Sequence, residues 1–347
     1  MEFEAVYNVP KGGRLKVLGP NACEPAAWDE SGKELEIWED RGLNPGYWLD
    51  GLGGLPGEIR IKFNAGPGLS FSQLFAGCSE LLEVSGLDTR NGENFLGMFA
   101  GCESLSSVPL LDTRNGENFS QMFRGCKSLS SVPLLDTSMG KNFHGMFWDC
   151  SELESVPLLD TSNGLNFSLM FFGCLELESV PLLDTHNGTR FIETFHDCPS
   201  LASVPLFDTR NGTDFGGMFA GCSNLASVPA LDTGNGESFA GMFRGCSNLA
   251  SVPALDTHNG TDFNSMFKNC RSLEECPSLG LPFGALANKM FAGCSNLADV
   301  SKLTVRISKG KAAKAVGGMF DGCPNIKENT GPSLIVAVGG NDGKACN

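Results

Sequence analysis

Apolar residues recur through the middle of the chain in a fixed order: between residues 95 and 111 they include Phe95, Met98, Phe99, Cys102, Leu105, Val108 and Leu111. The first four are spaced i, i+3, i+4 and i+7, which is the spacing of one face of a short helix turned toward a core. A glycine precedes the cysteine and can end that turn. Leu105, Val108 and Leu111 then read as extended chain, whose β character ends near Pro109 because proline has no N–H for a ladder. Asp112, Thr113, Asn115 and Gly116 supply the turn into the next helix, with Asp bonding nearby backbone N–H groups and Gly permitting positive φ.

The same order returns every 24 residues: Cys78, Cys102, Cys126, Cys150, Cys174, Cys198, Cys222, Cys246, Cys270 and Cys294 keep that interval, and Cys323 follows after a longer step. Self-similarity at a fixed period of this length marks a repeat architecture, in which each unit buries its apolar face only against its neighbours. The pattern predicts an α/β repeat solenoid, leucine-rich-repeat-like, built of 24-residue rungs. Each rung is expected to hold a short helical turn and a short strand, and β-rich caps are expected at both ends. Residues 1–66, with the strand-like segments "LKVLG", "LEIWED" and "EIRIKFN", read as an N-terminal cap or attachment module. Residues 67–280 read as the regular solenoid, and 281–347 as irregular last rungs and a C-terminal cap containing "KLTVRISKG" and "SLIVAVGG".

A formal charge of -15 argues against nucleic acid and against an acidic membrane surface as partners. No stretch approaches the roughly 20 apolar residues of a spanning helix, so no membrane insertion is expected. The start, "MEFEAVYNVPKGG", has acidic residues where a secretory signal has basic ones and lacks an apolar core. Most of the 14 cysteines belong to one column. Stacked about 4.8 Å apart, each would have two equal neighbours and no unique partner, so they read as buried free thiols. Cys276 stands where other rungs have Val. Cys23 and Cys346, one in each expected cap, are too far apart to pair within one rod and read as free thiols, with pairing between chains as the alternative.

The unit MFxGCxxLxSVPxLDTxNGxxFxxMF, recurring from residue 71 to about 326, resembles the repeats of BspA-type leucine-rich-repeat surface proteins. The resemblance implies a solenoid with a role in adhesion to cells, matrix proteins or other microbes. This chain has Asn-Gly-x-x-Phe where that family has an Asn-Val-Thr-Asn-Met turn. It is similar also to phage-encoded repeat proteins that carry a β-rich N-terminal module, which implies a tail-fibre or other virion component. Such a protein is made in the cytoplasm without a signal peptide and resides on the virion or an extracellular surface. The alternatives are a secreted bacterial cell-surface adhesin and an architectural or decoration protein of a larger assembly.

No catalytic apparatus is visible, and no enzyme activity, cofactor or metal is expected. The Asp column (Asp88, Asp112, Asp136, Asp160, Asp184, Asp208, Asp232, Asp256) offers one carboxylate per repeat, which suits a turn cap better than a calcium ladder. Repetition of the cysteine argues for packing rather than a nucleophile, which would need an adjacent base. His186 and His258 fill the variable turn site also held by Arg90, Arg114 and Arg210, a weaker candidate surface for an anionic glycan. The Asn-Gly-Thr triplets at Asn187, Asn211 and Asn259 match a glycosylation pattern, but the turn already accounts for them.

Recognition is expected at the variable position after Met-Phe, about 140° from the inward face at 100° per residue. There Arg124, Trp148, Phe172 and His196 succeed one another, with His144 and Ile192 four residues before Trp148 and His196. An aromatic pair flanked by arginine suits an anchor for a partner. The expected partners are a host surface protein or glycan, or neighbouring subunits of an assembly, including a second copy of the chain.

Overall fold

The computed structural model describes residues 2–9, 14–20, 22, 25–29, 31–42, 45–50, 58–64, 70–308, 316–327 and 332–337. Cys23 and Cys346 lie outside the described residues. The chain divides into two compact units, Met1–Leu177 and Glu178–Asn347.

In the first unit the N-terminal segments form two antiparallel sheets. The strands are β1 (Glu2–Asn8), β2 (Leu15–Leu18), β3 (Ala26–Trp28), β4 (Glu34–Leu35), β5 (Ile37–Asp40), β6 (Gly46–Leu49), β7 (Glu58–Asn64) and β8 (Leu81–Ser85). One sheet has the order β4-β3-β7-β1-β8 and the other β2-β6-β5. Strand β1 pairs with β7 so that Phe3 lies opposite Phe63, their rings 5.1 Å apart, and Ala5 lies opposite Ile61. Its other edge pairs with β8, the extended segment of the first repeat, which ties the sheet directly to the repeats. The expected strands in "LKVLG", "LEIWED" and "EIRIKFN" are present as β2, β5 and β7. In the second unit, β9 (Leu279–Leu281), β10 (Leu303–Ser308) and β11 (Ser333–Ala337) form a parallel sheet in the order β11-β10-β9.

The repeats overturn the expected α/β, leucine-rich-repeat-like rung. Among the described residues there is no α-helix, and apart from β8 and β9 the repeats are joined by isolated parallel bridges such as Asn94 to Asn118 rather than by one strand each. The reason lies in the backbone. Gly97 (φ 56°) and Gly101 (φ 76°) are left-handed, as are Gln121 (φ 55°) and Gly125 (φ 71°) one repeat later. Two such residues four apart cannot continue a right-handed helix. The segment instead makes consecutive tight turns: the N–H groups of Met98, Ala100 and Cys102 donate to the carbonyls of Phe95, Gly97 and Phe99 at 3.1, 3.0 and 3.0 Å. The intervening N–H groups of Phe95, Gly97, Phe99 and Gly101 donate to Asn118, Ser120, Met122 and Arg124 of the next repeat at 2.9, 2.9, 2.9 and 2.6 Å. The backbone is thus satisfied partly within the turn and partly across the repeat boundary, as a buried chain requires.

This coiled ribbon still sends Phe95, Met98, Phe99 and Cys102 inward, all fully buried. The rings stack in columns, Phe95 on Phe119 at 5.7 Å and Phe119 on Phe143 at 5.8 Å, with the planes 9° and 5° apart. The buried thiols are more than small hydrophobes. Cys126 Sγ donates to the Phe99 carbonyl at 3.2 Å and Cys150 Sγ to the Phe123 carbonyl at 3.0 Å, each reaching back one repeat. In the second unit Cys246 and Cys270 bond Phe219 and Phe243 in the same way, both at 3.0 Å.

The Asp-Thr-x-Asn-Gly segment also bonds between repeats. Thr113 Oγ1 donates to the Asp136 carbonyl at 2.8 Å, and Asn115 Nδ2 to the Arg90 carbonyl at 2.8 Å. The glycine of this segment was expected to serve positive φ, and it does not. Gly116 is absent from the left-handed residues, and a Cβ there would lie 2.5 Å from Phe119 Cζ. It is glycine because the phenylalanine column leaves no room.

Candidate functional site

The position after Met-Phe closes a tight turn. The N–H groups of Arg124 and Trp148 donate to the carbonyls of Gln121 and Gly145, each at 3.1 Å, and their own carbonyls accept from the preceding repeat: Gly101 N–H bonds Arg124 and Gly125 N–H bonds Trp148 at 2.6 Å. With both sides of the peptide held, the side chains project from fixed points on the ribbon's outer side. In the first unit the Arg124 guanidinium carbon stands 4.1 Å above the Trp148 ring centroid. The Phe172 ring meets Trp148 edge-on, with centroids 5.8 Å apart and planes at 63°. Arg124 is exposed, whereas Trp148 and Phe172 are half-buried. The cluster is therefore pre-assembled: a cation over one aromatic face and a second ring against its edge, arrangements that add to apolar contact.

His144 is half-buried beside this cluster, and its backbone N–H donates to Asn142 Oδ1 at 3.1 Å. Burial, helped by the nearby Arg124 charge, pushes the imidazole pKa below its ordinary value. The first unit thus brings together four of the six expected residues: Arg124, His144, Trp148 and Phe172.

Ile192 and His196 belong to the second unit. There the His196 side chain is only 12 % exposed, with Nδ1 3.4 Å from Glu193 Oε1 and Nε2 3.3 Å from Arg244 Nη2. These groups border a shallow hollow of about 420 Å³ floored by small residues, including Gly216, Gly217 and Gly241. Here the position after Met-Phe does not always face solvent, since Ala220 and Ala292 are buried.

The basic turn residues are committed locally. Arg90, Arg114 and Arg210 bond the aspartate two residues before them at 2.9, 2.8 and 2.8 Å, and His186 and His258 do so through Nδ1 at 2.7 Å. The partner's hydrogen bond holds the carboxyls of Asp88, Asp112 and Asp208 below the usual carboxylate range. Among the described residues no group of three or more His, Cys, Asp or Glu is arranged to hold a metal ion.

One surface feature escaped the sequence reading. Leu110, Leu134 and Leu158, each following the corner proline, are 80 %, 63 % and 62 % exposed. The signal was present in "VPLLD": two consecutive leucines on extended chain cannot both face one core.

Residues 69–184 and 189–302 match the family described as "Mycoplasma protein of unknown function, DUF285". The two tandem matches agree with a BspA-type repeat protein. No curated protein matches the chain.

Proposed function

Because the chain belongs to this repeat family, we propose that it is a non-enzymatic recognition protein that adheres to, or binds a receptor on, a foreign surface. The observation that carries this reading is the Arg124–Trp148–Phe172 cluster, which the core does not require: the equivalent position is alanine at Ala76 and Ala100 in the same unit. Large aromatic and arginine side chains at a surface point with pinned backbone are the usual anchors of protein and glycan recognition. The repeated Cys, Asp, Thr and Asn, which would be the raw material of an active site, are spent on backbone hydrogen bonds. We place the protein on a virion, as a tail-fibre or similar component, or on an extracellular cell surface, with a host protein or glycan as its partner.

The test compares wild type with the Trp148→Ala, Phe172→Ala double variant on a panel of immobilised matrix proteins, glycans and whole cells. The expected result is retention by wild type and a loss of about tenfold or more in the variant, each anchor contributing on the order of 1–2 kcal/mol, with unchanged circular dichroism. Equal retention of both proteins removes the cluster from recognition. Loss of a defined oligomer without change in surface binding reassigns it to assembly.

A further inference from the structure

The leucine row of the first unit is a second surface, independent of the Trp148 cluster. Leu110, Leu134 and Leu158 are exposed while their chain neighbours Leu111, Leu135 and Leu159 are 3 %, 2 % and 1 % exposed. The core needs only the inner residue of each pair. In the second unit the outer position is Leu182 and Leu206, both 61 % exposed, and then Ala230 and Ala254. A large apolar residue is thus dispensable to the repeat, and contiguous exposed apolar rows mark contact surfaces.

The row lines a groove of about 810 Å³ together with Asp112, Arg114, Asp136 and Asp160. Asp112 is paired with Arg114 at 2.8 Å. Asp136 and Asp160 take their hydrogen bonds from neutral groups, the backbone N–H and hydroxyl of Ser138 and of Ser162. The groove therefore combines exposed leucines with two carboxylates that, among the described residues, no cation contacts directly.

We propose that this groove docks a basic amphipathic α-helix of a partner protein, its apolar stripe on Leu110, Leu134 and Leu158 and its Lys or Arg residues toward Asp136 and Asp160. Charge selects against a second copy of the chain, which would bring carboxylate rows and a net charge of -15 against their like. Spacing selects a helix over a strand. Neighbouring chains in a hydrogen-bonded ladder lie about 4.8 Å apart, and the Phe95 and Phe119 rings, one repeat apart, have centroids 5.7 Å apart. A helix returns the same face about every 5.4 Å, whereas a strand does so every 6.6 Å or so, out of step after two repeats.

The probe is a fluorescein-labelled helical peptide of about five turns, with leucines at i, i+4, i+7 and i+11 and lysines flanking the stripe. Its control carries glutamates in place of the lysines. Anisotropy titration is expected to show binding of the lysine peptide to wild type, weakened about tenfold or more by Leu134→Ser with Leu158→Ser and by Asp136→Asn with Asp160→Asn. Raised salt should weaken it as well. The Trp148→Ala, Phe172→Ala variant should bind the peptide as wild type does, which separates this surface from the recognition cluster. Because the leucines are exposed, thermal unfolding of their serine variants should match wild type. No binding of the lysine peptide, equal binding of the glutamate peptide, or indifference to both pairs of substitutions overturns the proposal. So does wild-type self-association that Leu134→Ser abolishes.

Discussion

An alanine at Gly116 would put its Cβ 2.5 Å from Phe119 Cζ and 3.0 Å from the Thr113 carbonyl oxygen. The Phe119 ring is held between Phe95 and Phe143 and cannot swing aside. Gly101 differs: a Cβ there comes no closer than 3.5 Å to Gly77 Cα, but φ is +76°. The equivalent position in other repeats is Asp149, Asp197 or Asn269, residue types that tolerate the left-handed region. Gly116→Ala and Gly116→Asn should both destabilise by about 1–3 kcal/mol through overpacking. Gly101→Asn should cost well under about 1 kcal/mol, since Asn enters this region readily. Urea unfolding midpoints check this, and equal losses at the two sites would refute the steric account of Gly116.

The repeat's first element looks helical in its apolar spacing and is instead a ribbon of turns. What separates the two is the residue at the third position of the Phe-x-x-Met-Phe segment. It is left-handed in every described repeat, whether glycine, as at Gly97 and Gly241, or not, as at Gln121 (φ 55°), Glu193 (φ 52°) and Ser265 (φ 57°). A non-glycine residue held there costs about 1–2 kcal/mol, offset by the N–H it directs across the repeat boundary, as Ser265 does to the Asn288 carbonyl at 2.9 Å. Ser265→Gly should therefore raise stability by up to about 1 kcal/mol, the strain relieved less glycine's own entropic cost. A helix would give the opposite sign, because glycine inside a helix destabilises. The urea midpoint of this variant decides between the two backbones.

In each unit the stacked thiols form a column with a collective response to alkali. Burial pushes the Cys78 and Cys222 thiols from an ordinary value of 9.0 up to about 12, and raises Cys126, Cys246 and Cys270 as well. A group whose folded pKa lies above its unfolded one holds its proton longer in the native state, so its contribution is complete below the unfolded value and is lost as pH climbs toward the folded one. Stability should be insensitive to these thiols below pH 9.0 and fall above it. Each removed cysteine should make that fall shallower by about 1.4 kcal/mol per pH unit. Thermal unfolding of wild type and Cys246→Ala between neutral pH and pH 11 or so measures the difference; identical slopes would mean that the thiols are not buried as described.

The 24-residue period, the buried Phe, Met, Cys and Leu columns, the strands in "LKVLG" and "EIRIKFN", and the group of residues around Trp148 could all be read from the sequence. Each depends on which side chains avoid water and on identical positions meeting identical positions, which a fixed period guarantees. The tertiary structure alone decided the hand of the backbone at Gly97 and Gly101, because apolar spacing is the same for a helix and for a ribbon of turns. It alone showed that Gly116 answers to ring packing rather than to φ, and that Arg90, Arg114 and His186 are tied to their own aspartates. It alone left Leu110, Leu134 and Leu158 in solvent. Those outcomes turn on where N–H groups and side chains find partners in neighbouring repeats, and a linear pattern of apolar and polar positions does not carry that information.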